Sequence, residues 1–128
     1  NSENILVHEE KMMIAYSIPD QSIDKIHIPY VAPEVLHTKQ YTREADIYSL
    51  GIILYEITTG LSPYYNILHD VNLEMKICNG IRPEFPNTTS NLISQIISRC
   101  WDAEPSRRPN IEELKDELVQ LHSTIEEN

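Results

Sequence analysis

Residues 43–59 narrow the fold more than any other part of the chain. Ala45, Ile47, Tyr48, Leu50, Ile52, Ile53, Leu54, Tyr55 and Ile57 go round a helix rather than along one stripe. A helix apolar on all sides needs neighbours on all sides. The segment therefore predicts a central helix within a helical body. Thr42 can cap its start, and Gly60 with Pro63 closes it.

The neighbours are legible too. One helix is expected from about Asp70 to Asn79, ending before Gly80. Another is expected over about 90–101, with Leu92, Ile93, Ile96, Ile97, Cys100 and Trp101 at helical spacing. Thr88 and Thr89 read as its start residues. A last helix begins at Asn110, which makes a capping-box pair with Glu113, and Ile111, Leu114, Leu118, Leu121 and Ile125 form its apolar face. Before the central helix, residues 5–7 and 12–15 flank a polar stretch and read as a small β-hairpin, and 16–29 read as a loop. The fold class is mainly α, a helical body with a short N-terminal β-hairpin.

Composition excludes several functions. The three glycines, Gly51, Gly60 and Gly80, lie at least nine positions apart, so no glycine-rich phosphate loop can be written here. A net charge of −10 argues against nucleic-acid or anionic-membrane surfaces, which call for basic patches. The longest nearly apolar run, Ile47 to Tyr55, falls far short of a membrane span. The two cysteines, Cys78 and Cys100, read as reduced thiols of a cytoplasmic protein, and the five histidines have no metal-ligand spacing. The chain begins at Asn1 with no visible signal peptide, which implies that upstream residues were removed or never included.

Three motifs stand in a telling order. Ala32-Pro33-Glu34 follows the loop. Twelve residues after Glu34 comes Asp46-Ile47-Tyr48-Ser49-Leu50-Gly51, with Asp46 at its head. Near the end stand Cys100-Trp101-Asp102 and then Pro105, Arg107, Arg108 and Pro109. This order resembles the C-terminal lobe of a eukaryotic protein kinase, with the tyrosine-kinase and tyrosine-kinase-like branches fitting best. The resemblance covers about residues 1–121. It divides the chain into a catalytic-loop tail and hairpin (1–15), an activation-like segment (16–34), a helical C-lobe (35–122) and a tail (123–128).

The resemblance implies roles for single residues. Glu34 is expected to form a buried ion pair with Arg108, because a planar guanidinium can meet a carboxylate with two hydrogen bonds. Asp46 is expected to accept backbone N–H groups of the catalytic loop. Pro29 and Tyr30 match the segment that shapes the peptide-substrate pocket. Asn4 resembles the catalytic-loop asparagine that binds magnesium. ATP and magnesium are the family's cofactors, and protein substrates, other protein partners and the kinase N-lobe are the partners it implies. In that family a further helix covers the central one. It has no counterpart here, so part of the apolar circumference of 45–57 is expected to be exposed.

The pattern also breaks. Ala15 is followed by Tyr16-Ser17-Ile18 where the family carries Asp-Phe-Gly. A neutral phenol cannot replace a carboxylate as a magnesium ligand. Ile26 and His27 occupy the positions of a common Gly-Thr pair, and 16–34 is short for an activation segment. The glycine-rich loop, the ATP-orienting lysine and the catalytic aspartate are absent from these residues. Two readings follow: part of a protein kinase, inactive as this chain, or a pseudokinase-type interaction module that binds proteins without transferring phosphate. A helical domain without kinase ancestry is the third.

Overall fold

The computed structural model describes residues 25–127, with side chains from 28 to 124. The β-hairpin expected over residues 5–15, Asn4 and Tyr16 all lie outside the described residues. What is described is mainly helical, with no strand among the described residues.

A 3₁₀ helix, Lys25–Tyr30, opens the described part. It corrects the expectation of a loop through residue 29: Pro29 lies inside the 3₁₀ turn, whose geometry suits its fixed φ. Five α-helices follow: α1 (Pro33–Thr38), α2 (Arg43–Thr59), α3 (Val71–Cys78), α4 (Asn91–Cys100) and α5 (Ile111–Glu127). A short 3₁₀ turn, Pro105–Arg107, precedes α5. None of these helices is long and apolar enough to cross a membrane.

Local chemistry sets the boundaries. The Thr42 hydroxyl accepts the Ala45 N–H at 3.1 Å and starts α2. Gly60 ends it at φ +73°, a left-handed conformation that glycine takes at little cost, and sends its N–H to the Glu56 carbonyl at 2.8 Å. Asp70 caps α3 through the N–H groups of Asn72 and Leu73. Ser90, not Thr88 or Thr89, caps α4, accepting the Leu92 N–H at 3.2 Å. The Asn110–Glu113 capping box forms in both directions, at 2.8 and 3.3 Å.

α2 is the spine. Ala45, Ile47, Tyr48, Ser49, Gly51, Ile52, Ile53 and Tyr55 are buried. One side meets the segment from Tyr30 to Leu36, and another meets Ile97 and Trp101. A third, through Ile47, meets Ile96, Cys100 and Leu114. A Cβ added to Gly51 would lie 2.6 Å from the Cys100 Cβ, so this glycine sets the α2–α4 approach. The circumference is not wholly covered: Leu50 and Leu54 are half-buried and Ile57 is exposed. On α5, Leu114 is buried while Ile111 is exposed, so the apolar face expected there is narrower than its spacing predicts.

Candidate functional site

The segment from Ile28 to Glu34 is pinned to the helical body at three places. The first is its end. Arg108 donates from one Nη to Glu34 Oε2 at 2.7 Å and from the other to Oε1 at 2.8 Å. The Arg108 side chain has no solvent-exposed surface. It also donates from Nε to the Asp102 carbonyl and from an Nη to the Glu44 carbonyl, both at 2.9 Å. A buried guanidinium with all three nitrogens bonded is held in one geometry, as a forked pair requires. Burial acts to raise the Glu34 carboxyl, but the Arg108 hydrogen bonds, its own backbone N–H and the charges of Arg108 and Arg82 together outweigh it and hold the group below its usual range.

The second place is the backbone of Tyr30. The buried Ser49 hydroxyl, on α2, donates to the Tyr30 carbonyl at 2.5 Å. The third is the Tyr30 phenol, which donates to the Glu56 carboxylate, also on α2. Burial, and then Glu56, push this phenol up, so it stays a donor at neutral pH. Pro29 and Tyr30 are both buried.

Tyr48 lies behind the ion pair. Its ring has the Arg82 guanidinium carbon 5.1 Å from the centroid and that of Arg108 at the same distance. This stacking places two cations against one ring. Arg82 is otherwise bound to carbonyls: Trp101 at 2.9 Å, Ile77 at 3.0 Å and Ile81 at 2.6 Å. The Tyr48 hydroxyl is buried with no hydrogen-bond partner. Burial pushes its pKa up to about 12, against the pull of the two guanidiniums.

Asp46 is half-buried in the first turn of α2, and no described residue bonds its carboxylate. Burial raises its pKa. It borders a hollow of about 680 Å³ with Arg43, Ile47, Leu50 and Asn110. No three His, Cys, Asp or Glu side chains among the described residues could share a metal ion.

The structure thus brings Glu34 and Arg108 together, sets Tyr30 along the same segment, and leaves Asp46 unbonded to either, at a hollow that Arg108 also lines. Ser49, Glu56, Tyr48 and Arg82 complete the arrangement, and none had a role assigned from sequence. Ser49 carried a signal, a hydroxyl inside an apolar run. Arg82 carried none beyond its place before Pro83.

The chain is similar to known proteins along most of its length. The family model for protein tyrosine and serine/threonine kinase matches residues 3–118. The RGS domain-containing serine/threonine-protein kinase A of Dictyostelium discoideum is 40% identical over 81 residues, which cover 63% of this chain and 7% of that protein. The serine/threonine-protein kinase STY17 of Arabidopsis thaliana is 34% identical over 92 residues, 72% of this chain and 16% of that protein. The serine/threonine/tyrosine-protein kinase HT1 of the same plant is 32% identical over 99 residues, 77% of this chain and 25% of that protein. The chain therefore spans a quarter or less of the length of these relatives.

Proposed function

Because the chain belongs to the protein tyrosine and serine/threonine kinase family, we propose that it is the C-lobe portion of an enzyme that phosphorylates protein Ser/Thr or Tyr residues in signal transduction. The observation that carries the reading is the two-pronged Glu34–Arg108 pair. It anchors the end of the activation-like segment to the helical body. Ser49 and Glu56 anchor the residue that precedes Val31-Ala32-Pro33. A protein substrate would then meet a segment already ordered, so little conformational entropy is lost on docking. Pro29 and Tyr30 serve as the floor of that site. Asp46 is the acceptor for the catalytic-loop backbone, which accounts for a half-buried carboxylate without a described partner.

ATP would supply the phosphoryl group, and magnesium would neutralise its charge. The residues present do not fit either group. No paired glycines occur, and Tyr16 stands at the position of the metal-binding aspartate. Asn4 alone matches the family's magnesium ligands. The 128 residues on their own therefore transfer no phosphate. A cytoplasmic location belongs to the same reading, with Cys78 and Cys100 both free thiols.

The substitution at Tyr16 favours a second reading, a pseudokinase module that binds partner proteins through this lobe. One assay separates them. The purified chain, incubated with labelled Mg-ATP and a panel of protein substrates, is expected to transfer nothing. Transfer that disappears in Asn4→Ala would overturn the claim of inactivity. The same assay on the full-length protein decides between the readings: transfer supports the kinase, and none supports the pseudokinase.

A further inference from the structure

Asn79 and Gly80 join α3 to the segment that carries Arg82. Asn79 is followed by glycine, and no other asparagine of the chain is. Such a pair is open to imide closure. The backbone nitrogen of the second residue attacks the side-chain carbonyl carbon of the first, and a residue without a side chain leaves the approach unhindered. Both residues are exposed. Gly80 has φ +110°, and a Cβ built on it would meet nothing within 4 Å, so the turn has open space on that side.

The folded turn holds the reaction back. At Asn79 ψ is 3°, which eclipses the Gly80 nitrogen with the Asn79 nitrogen and turns it away from the Asn79 side chain. The Gly80 N–H is also engaged, donating to the Ile77 carbonyl at 3.0 Å, and the Ile81 N–H donates to the Lys76 carbonyl at 2.9 Å. Arg82 clamps the same turn. One Nη donates to the Ile77 carbonyl at 3.0 Å and to the Ile81 carbonyl at 2.6 Å, while Nε holds the Trp101 carbonyl at 2.9 Å. Imide closure therefore requires the last turn of α3 to open. α3 has only eight residues, and a helix end opens at a smaller free energy than the whole fold.

We propose that Asn79 is a site of spontaneous deamidation, gated by opening of the turn that Arg82 clamps. The Gly80 nitrogen gives its proton to a solvent base and bonds to Asn79 Cγ. The Cγ–Nδ2 bond breaks, ammonia leaves and a cyclic imide remains. Water then opens the ring at either carbonyl, leaving aspartate or isoaspartate at position 79. Nothing is oxidised or reduced, and water is the co-reactant.

Both products place a new carboxylate at the C-terminal end of α3, where the helix dipole disfavours negative charge, in a chain that already carries −10. Isoaspartate also routes the main chain through the former side-chain carbons. The backbone from Gly80 to Arg82 then shifts, and Arg82 cannot keep the Ile77, Ile81 and Trp101 carbonyls together. The loss reaches Tyr48, whose ring centroid lies 5.1 Å from the Arg82 guanidinium carbon. The connection between α3 and α4 therefore loosens as the protein ages. The inference goes beyond the kinase reading and does not depend on phosphoryl transfer.

The test incubates the full chain in neutral buffer and maps its peptides by chromatography and mass spectrometry. Conversion at Asn79 is expected, with isoaspartate the larger product and a rate that rises with pH. Asn66 and Asn87 are also exposed but precede Ile67 and Thr88, and they are expected to stay unchanged. Denaturing urea should speed conversion about tenfold or more, and Arg82→Lys should speed it severalfold without urea. Asn79→Gln should block it. The aged parent should melt at a lower temperature than the fresh one, and the aged Asn79→Gln variant should not. An unchanged Asn79, or equal conversion at Asn66 or Asn87, would overturn the site. Equal rates with and without urea, or in Arg82→Lys and the parent, would overturn the gate. A converted chain that melts like the fresh one would overturn the link to Arg82. None of these readouts measures phosphate transfer, so this proposal and the kinase reading fail separately.

Discussion

Arg108 reaches across 74 positions of sequence to hold both carboxylate oxygens of Glu34, at 2.7 and 2.8 Å. The guanidinium is buried, whereas the carboxylate keeps a quarter of its side-chain surface in solvent. The cation therefore bears the larger desolvation cost and depends more on the pair. Four acceptor atoms surround it, two from Glu34 and one each from Glu44 and Asp102.

Geometry, not charge alone, should matter at position 108. Arg108→Lys keeps the cation but cannot reach Glu34, Glu44 and Asp102 together. We expect a loss of about 2 kcal/mol or more in urea unfolding, approaching the ~3–5 kcal/mol typical of a broken buried pair. A change below about 0.5 kcal/mol would mean that the fork contributes little.

The same pair sets an acid limit. The folded Glu34 carboxyl is held below its ordinary value, so its contribution is full above the unfolded pKa of about 4.3 and is lost as pH falls through the folded value. Glu34→Gln should differ in stability from the parent above about pH 5, with the gap closing below about pH 4. Asp46 runs the other way. Its folded carboxyl is raised by burial, so Asp46→Asn should remove a penalty at neutral pH. Urea midpoints between pH 3 and pH 7 check both signs.

Tyr48 separates ring from hydroxyl. The ring is completely buried against two guanidiniums, and the hydroxyl has no partner. Tyr48→Phe removes an unsatisfied buried donor and keeps the ring, so we expect neutrality or a gain of about 1 kcal/mol. Tyr48→Ala should cost about 3–5 kcal/mol through the cavity it opens. Thermal unfolding of the two variants reads the difference directly.

Gly51→Ala tests the α2–α4 approach. The new Cβ would fall 2.6 Å from the Cys100 Cβ, so the helices must part. A cost of about 1–3 kcal/mol is expected. Cys100→Ala should not restore stability, because the contact is with Cβ, not sulfur. Cys100→Gly in the Gly51→Ala background should remove the clash, which a double-mutant cycle would register as a favourable coupling.

The central helix was legible because its apolar residues surround it and Thr42 and Gly60 punctuate its ends. The Asn110–Glu113 box was legible because capping is a local hydrogen-bond pattern. The span of α4 was legible, but its cap fell to Ser90 and not to Thr88 or Thr89, since all three carry a hydroxyl and only that of Ser90 accepts the Leu92 N–H. The 3₁₀ turn at Lys25–Tyr30 was missed because Pro29 signals a turn without fixing its type. At the site, motif order named Glu34 and Arg108. Arg82 and Glu56 escaped, because their partners are a distant ring, backbone carbonyls and a phenol 26 positions away. No periodicity encodes such contacts.

The account rests most heavily on Glu34 and Arg108 acting as one unit. A double-mutant cycle with Glu34→Ala, Arg108→Ala and the double variant, read by urea unfolding at pH 7, tests this most directly. The expected result is a coupling of about 2 kcal/mol or more, with the double variant far less destabilised than the sum of the single ones. Additivity within about 0.5 kcal/mol would contradict it.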